Sequence, residues 1–336
     1  MTLSLPDPGE LLTGIWTEVL ILGLIFVLRL LGVDLFPKIL LVFHSISSLV
    51  RRMLGRRRVL VYTDCDDRGT AVENMREALR DVLGPYRIDV VPIHNPERLL
   101  QYRLSPAEVH SVVLLLTDVT TLSTSLRIRS KIQHRLVRYS QRGGLLVLGH
   151  DALYRRSRNE ELQKLAGGQI VDFQQTKEPV SYQLNPELGR VMGGIFGPLQ
   201  HALPPAPVLD DGEYVRGRWN PDVVPIYTTE AEFGGERVTI PVVTYRAAGR
   251  GAVCWLHSAD HKPDGGPQPI AGPDPVFIDI LQALLLHARP PRGWRSRRNR
   301  ERNRRAEELK TLSLEEGPAI AQAPGSAPSK SSVTQR

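Results

Sequence analysis

Cysteine is nearly absent from this 336-residue chain, which has two, Cys65 and Cys254. Two distant thiols give neither a disulfide framework nor zinc-type spacing, and they suit a reducing compartment. The first ten residues hold no Lys or Arg, and no A-x-A motif follows, so a cleaved secretory signal is not expected. Aromatic residues make up only 6% of the chain. No basic stripe interleaved with aromatics runs through its middle, so specific nucleic-acid binding is not expected either.

What the chain does have is apolar length at its start. Leu11 to Val33 reads LLTGIWTEVLILGLIFVLRLLGV, unbroken from Val19 to Leu28. A hydrocarbon core about 30 Å thick needs roughly 20 mostly apolar helical residues, so this run is long enough to span. Glu18 and Arg29 flank its core, where long side chains can reach head groups. The second stretch, Leu35 to Val50, is shorter and contains Pro37, Lys38 and His44. It reads as an interfacial helix or as a second, short span. A pair of buried hydrophobic helices is the alternative to both.

RRMLGRRR follows, Arg51 to Arg58. Cationic flanks stay on the cytoplasmic side, so the expectation is a membrane protein, single-pass or two-pass, with its globular part in the cytoplasm. Arg51–Arg58 would meet anionic lipid head groups. Together with Arg289–Lys310, this block holds more positive charge than the whole chain's +7. The remainder, with −5, is mildly acidic. The expected division is an anchor over 1–58, a domain over 59–289, and a basic, disordered tail over 290–336 through which protein partners could be recruited.

Within the domain, strand and helix patterns alternate. Val59–Thr63, Ile88–Ile93, Ser111–Leu116 and Leu145–Leu148 are short apolar runs of the kind buried on both faces. Helical spacing covers Gly69 to Leu83 and Leu126 to Tyr139, with a short helix opening at Asn95-Pro96. Gly194 to Gly235 is rich in Pro and Gly and reads as an irregular wrap around a sheet edge. Arg237–Tyr245 and Gly251–Leu256 form a hairpin, and Asp274-Pro275 starts a closing helix. The fold class is α/β: a mostly parallel, flavodoxin-like or amidotransferase-like sheet with helices on both faces, preceded by the transmembrane helix.

In such sheets ligands bind beyond the carboxyl ends of the strands. Those ends carry Asp64, Asp66 and Asp67 after the first strand, and Asp118 after the third. His150 and Asp151 follow the fourth, and His257, Asp260 and His261 follow the hairpin. His150, His257, Asp118 and Asp151 are the candidate catalytic residues. Asp64, Asp66, Asp67, Glu213, Tyr214, Asp260 and His261 are candidates for ligand binding. Each has a plainer role open to it: Asp66 or Asp67 as a helix cap, His150 as a donor to a backbone carbonyl. His257, Asp260 and His261 resemble a metal set but crowd a single loop. Cys65 lies near a helix start, but neighbouring carboxylates oppose a thiolate. No cofactor is indicated.

The order of RGGLLVLGHDA at Arg142–Ala152, YRAAGRGAVCWLHSADH at Tyr245–His261 and DPVFIDILQALLLHA at Asp274–Ala288 resembles the ThuA-like (trehalose-utilisation) group. That group belongs to the class I glutamine amidotransferase-like superfamily. DDGEY at Asp210–Tyr214 sits where the group has an acidic-aromatic segment. The resemblance implies a sharp turn after the fourth strand, where amidotransferases carry a nucleophilic Cys. Here that turn reads Leu148-Gly149-His150-Asp151, so an acyl-enzyme route is missing. The expected function is a membrane-anchored module that binds or senses a small polar ligand such as a sugar or nucleotide. The alternatives are a carbohydrate-modifying enzyme using His and Asp in acid–base roles, and a tethered effector of a bacterial multi-protein system. The site expectation is concrete. His150, lifted clear of the sheet, and His257 should meet within a ligand's width, with Asp118 fixing a tautomer. Replacing His150 should then leave stability nearly intact.

Overall fold

The computed structural model describes residues 57–65, 69–116, 122–191, 197–257 and 273–290. The expected anchor, the second apolar stretch, the basic tail from residue 291, and Asp66, Asp67, Asp118, Asp260 and His261 lie outside these residues. No helix among the described residues is long and apolar enough to cross a membrane.

The first half alternates as the periodicity predicts. Strand β1 (Arg57–Thr63) leads to helix α1 (Thr70–Leu83), then β2 (Ile88–Pro92), a 3-10 turn at Pro96–Leu100 and β3 (Val109–Leu116). Helix α2 (Leu126–Gln141), β4 (Leu145–His150) and a short α3 (Glu160–Ala166) complete it. All residues of β3 and β4 are buried, as a strand covered on both faces requires. Ser125 caps α2 through its side chain. At the start of α1 the expected aspartate cap is not at the cap position. Gly69 stands there, left-handed and without a side-chain cap.

The main sheet has eight strands in the order β2-β1-β3-β4-β12-β11-β10-β7. Here β7 is Gln183–Leu184, β10 Val224–Phe233, β11 Glu236–Ala248 and β12 Gly251–Leu256. The strands from β2 to β12 run parallel, and β11, β10 and β7 continue antiparallel. Gly249, at φ 66°, supplies the tight turn between β11 and β12. Side strands β5 (Gly168–Gln175) and β9 (Glu213–Trp219) pair with each other, as do β6 (Val180–Ser181) and β8 (Val208–Leu209), and the short helices α4 (Leu188–Val191) and α5 (Gly197–Ala202) follow β7.

The stretch expected to wrap an edge irregularly thus contains real sheet. Along β10, Thr229, Ala231 and Phe233 are buried while Glu230 and Glu232 are exposed. This is period-two alternation carried partly by small residues, so the apolar signal is weak in the sequence.

Helices cover both faces. On one, α2 and α3 bring Ile132, Leu136, Tyr139 and Leu162 into a core with Leu60, Val112, Leu146 and Trp255. On the other, α1 meets the closing helix α6 (Pro275–His287), where the Gln282 side chain donates to the Val82 carbonyl. Asp274 caps α6 by accepting from the amides of Val276 and Phe277.

Candidate functional site

Strand β4 ends in an unusual backbone geometry. His150 has φ 32° and ψ −106°, a region that costs a non-glycine residue about 1–3 kcal/mol. The chain turns here from strand directly into a 3-10 turn at Asp151–Leu153. Gly149 permits the approach: a Cβ there would lie 3.0 Å from the Leu115 Cα of β3. The Trp255 indole donates to the His150 carbonyl at 3.0 Å and pins the turn from β12.

The imidazole lies between two carboxyl groups. Its Nδ1 lies 3.1 Å from Asp151 Oδ1, and its Nε2 bonds Glu213 Oε1 from the start of β9. Burial alone would lower the pKa of His150; the hydrogen bonds and charges of Asp151 and Glu213 outweigh it and raise the pKa well above 6.5. Lying between two carboxyl groups, His150 thus has its protonated form favoured by its surroundings.

His257 lies beside it, on the residue that follows β12. The two rings have centroids 5.9 Å apart. Burial and the His150 charge lower the His257 pKa to about 4, so this ring is neutral. Its Nε2 donates to the Glu213 carbonyl at 2.8 Å. That bond fixes the tautomer and leaves Nδ1 as a buried acceptor with no hydrogen-bond partner among the described residues. Beneath it the Tyr182 hydroxyl donates to Asp211 Oδ2 at 2.5 Å and lies 3.2 Å from the His257 carbonyl oxygen.

Four candidates therefore converge: His150, Asp151, His257 and Glu213. The two histidines meet within a ligand's width, as expected of residues at parallel strand ends. His150 does not stand clear of the sheet, however; it is 6% exposed. The carboxyl groups that orient it are Asp151 and Glu213, the role expected of Asp118. Tyr214 does not join the group. Strand alternation turns it away from Glu213, and it packs on Ala231, Phe233 and Ile240. Asp64 stands at the end of β1, two strands from β4, where its charge adds to burial in raising the Tyr62 pKa to about 12.

Tyr182, Asp211 and Trp255 are members of the network that sequence reasoning missed. Asp211 lies inside the DDGEY segment and could have been found there; an isolated tyrosine or tryptophan carries no such signal. Among the described residues a cavity of about 400 Å³ opens elsewhere, between Tyr86, Leu203, Pro204 and α6. No group of three or more His, Cys, Asp or Glu among the described residues could hold a metal.

No family model matches the sequence, and no curated protein does. Solved structures similar to it include a protein of Bacteroides uniformis described as ThuA-like, at 15% identity and TM-score 0.47, covering 68% of this chain and 89% of that one. A ThuA-like protein of Parabacteroides merdae is 17% identical at TM-score 0.45, covering 70% and 88%. A glutamine amidotransferase of Thermotoga maritima is 10% identical at TM-score 0.35, covering 60% and 74%. The likeness is one of fold. The chemistry of the site rests on this chain's own residues.

Proposed function

We propose that this protein is a membrane-anchored module whose amidotransferase-like domain binds a small polar ligand at the carboxyl end of its sheet, without nucleophilic catalysis. One observation carries the reading: the turn residue is a buried histidine whose Nε2 bonds Glu213 and whose Nδ1 lies 3.1 Å from Asp151, so that both carboxyl groups raise its pKa. A group so engaged is a poor nucleophile and a poor base. The cysteines offer no substitute. Cys254 is buried within β12 and burial pushes its thiol pKa far up, and Cys65 follows β1 rather than β4.

Acceptors outnumber donors around the pair of rings, with carboxyl oxygens of Asp151 and Glu213 and the bare His257 Nδ1. Such a site favours a ligand rich in hydroxyl donors, of the sugar class, over a phosphate. The anchor over residues 11–33, the cytoplasmic placement of the domain and lipid contact through Arg51–Arg58 belong to the same proposal, supported by hydropathy and charge pattern.

A second reading has one observation behind it. A charged and a neutral histidine side by side, their pKa values driven apart, form the pattern of an acid and a base, which would serve chemistry on a carbohydrate.

One set of measurements separates these. The full chain should release no glutamate from glutamine and leave glycosides intact, while a panel of sugars includes at least one that raises its melting temperature. Glycoside turnover abolished by His257→Ala would establish the enzyme instead. Glutamine hydrolysis would overturn both readings.

A further inference from the structure

The opposite end of the sheet has a charge pattern of its own. Each parallel strand is entered from a segment carrying an exposed arginine. Arg57 opens β1, Arg87 directly precedes β2, and Arg103 lies in the approach to β3. Arg142 precedes the Gly-Gly pair before β4, and Arg250 directly precedes β12. Strand order makes these neighbours: the Arg57 amide donates to the Arg87 carbonyl, and the Arg250 amide to the Gln141 carbonyl. With strands about 4.8 Å apart, the row spans roughly 20 Å.

Opposing charge there comes from Glu108, Asp81 and Asp89, the second residue of β2. Glu108, with 14% of its side chain exposed, faces Arg103 at 4.0 Å, and Asp81 sits beside Arg80. Helices α1 and α2 also end at this side, and their C-termini favour cations. That accounts in part for Arg142 and for Arg250, whose amide bonds the last carbonyl of α2, but Arg57 stands at a strand end, where no helix terminus calls for it. Tyr86, 55% exposed, adds an aromatic ring next to Arg87, the combination found at head-group level.

The chain's course identifies the occupant. It enters the described fold at Arg57, itself part of the Arg51–Arg58 block, and leaves it after α6, with Arg292–Arg305 next in sequence. Both points lie at this same end: Arg289 donates to the Pro106 carbonyl just before β3, and the Leu285 carbonyl contacts His110 in that strand.

We infer that the amino end of the sheet is a docking face for an anionic phospholipid surface, formed by Arg57, Arg87, Arg103, Arg142, Arg250 and Tyr86. It holds the His150 site on the side away from the bilayer. The inference rests on the proposed anchor for its orientation, and it adds the folded domain's own arginines to the basic block. About fivefold in the docking equilibrium is expected per arginine, so on the order of a hundredfold for three.

The test uses the full chain reconstituted in vesicles of phosphatidylcholine, with or without phosphatidylserine. Amide hydrogen exchange is followed in the turns before β2 and before β12. Slower exchange in phosphatidylserine vesicles only, relieved by salt and lost in Arg87→Gln/Arg142→Gln/Arg250→Gln, is the expected result. Equal exchange in both vesicle types overturns the inference, as does slowing that needs no anionic lipid. Stronger slowing by a short DNA duplex than by anionic vesicles would assign the face to nucleic acid and overturn it too. If alkaline carbonate strips the chain from vesicles, the anchor reading fails. Co-sedimentation of wild type, but not the triple variant, with anionic vesicles would then still uphold the docking face, and its absence would overturn that as well.

Discussion

The two ends of the sheet use charge in opposite ways. At the carboxyl end His150, Asp151, Glu213 and Asp211 are buried, with His150 bonded to Glu213 and Asp211 accepting from the Tyr182 hydroxyl. At the amino end the arginines are exposed. Buried charge must be paired, because an unpaired ion in low dielectric costs several kcal/mol; exposed charge is nearly free of stability cost and available to a partner. The carboxyl end is thus bound into the fold, and the amino end decorates it.

The sharpest way to break this contrast is at His150. His150→Ala leaves two buried carboxyl groups without their shared cation and should cost about 3–5 kcal/mol in urea unfolding. A loss below about 1 kcal/mol would show that the clamp is solvated and the site less integral than its burial indicates. Glu213→Gln keeps the shape and removes one charge. It should cost about 2–3 kcal/mol, with the His150 resonances in NMR titrating at lower pH than in wild type.

The pH dependence sharpens the same contrast. His150 has a raised pKa, so its contribution is full below pH 6.5 and declines as pH climbs through the folded-state value. His257 is lowered to about 4; its contribution is present above pH 6.5 and is lost as pH falls toward 4. His110, buried against the Leu285 carbonyl and also lowered to about 4, acts in the same direction. Stability should peak near neutrality. In His150→Ala the alkaline decline should weaken while the acid decline remains. The smallest effect belongs to the other end: Arg87→Gln, Arg142→Gln and Arg250→Gln should each change unfolding free energy by less than about 0.5 kcal/mol.

Much of this was legible in the chain. Continuous apolar runs such as Ser111–Leu116 announce strands covered on both sides, and parallel strands place His150 and His257 together by topology alone. What was not legible depends on three-dimensional approach. The placement of Glu213 beside His150 follows from β9, a strand of the small second sheet that a Pro- and Gly-rich stretch conceals. Tyr182 and Trp255 join through single hydrogen bonds that no periodicity encodes. The burial of His150 itself was missed because a polar residue on a sharp turn reads as exposed until its partners are known.

The clamp also sets an order on folding. His150, Glu213 and His257 are separated by 63 and 44 residues along the chain, so their contacts close long loops, the slow kind of event. A chain in which β1 to β4 have already paired has not yet brought Glu213 to His150. Only when β9 and β12 arrive does the ring acquire its second carboxyl group and the turn its indole tether. The ionisation of one side chain therefore reports whether the last third of the polypeptide has reached its place.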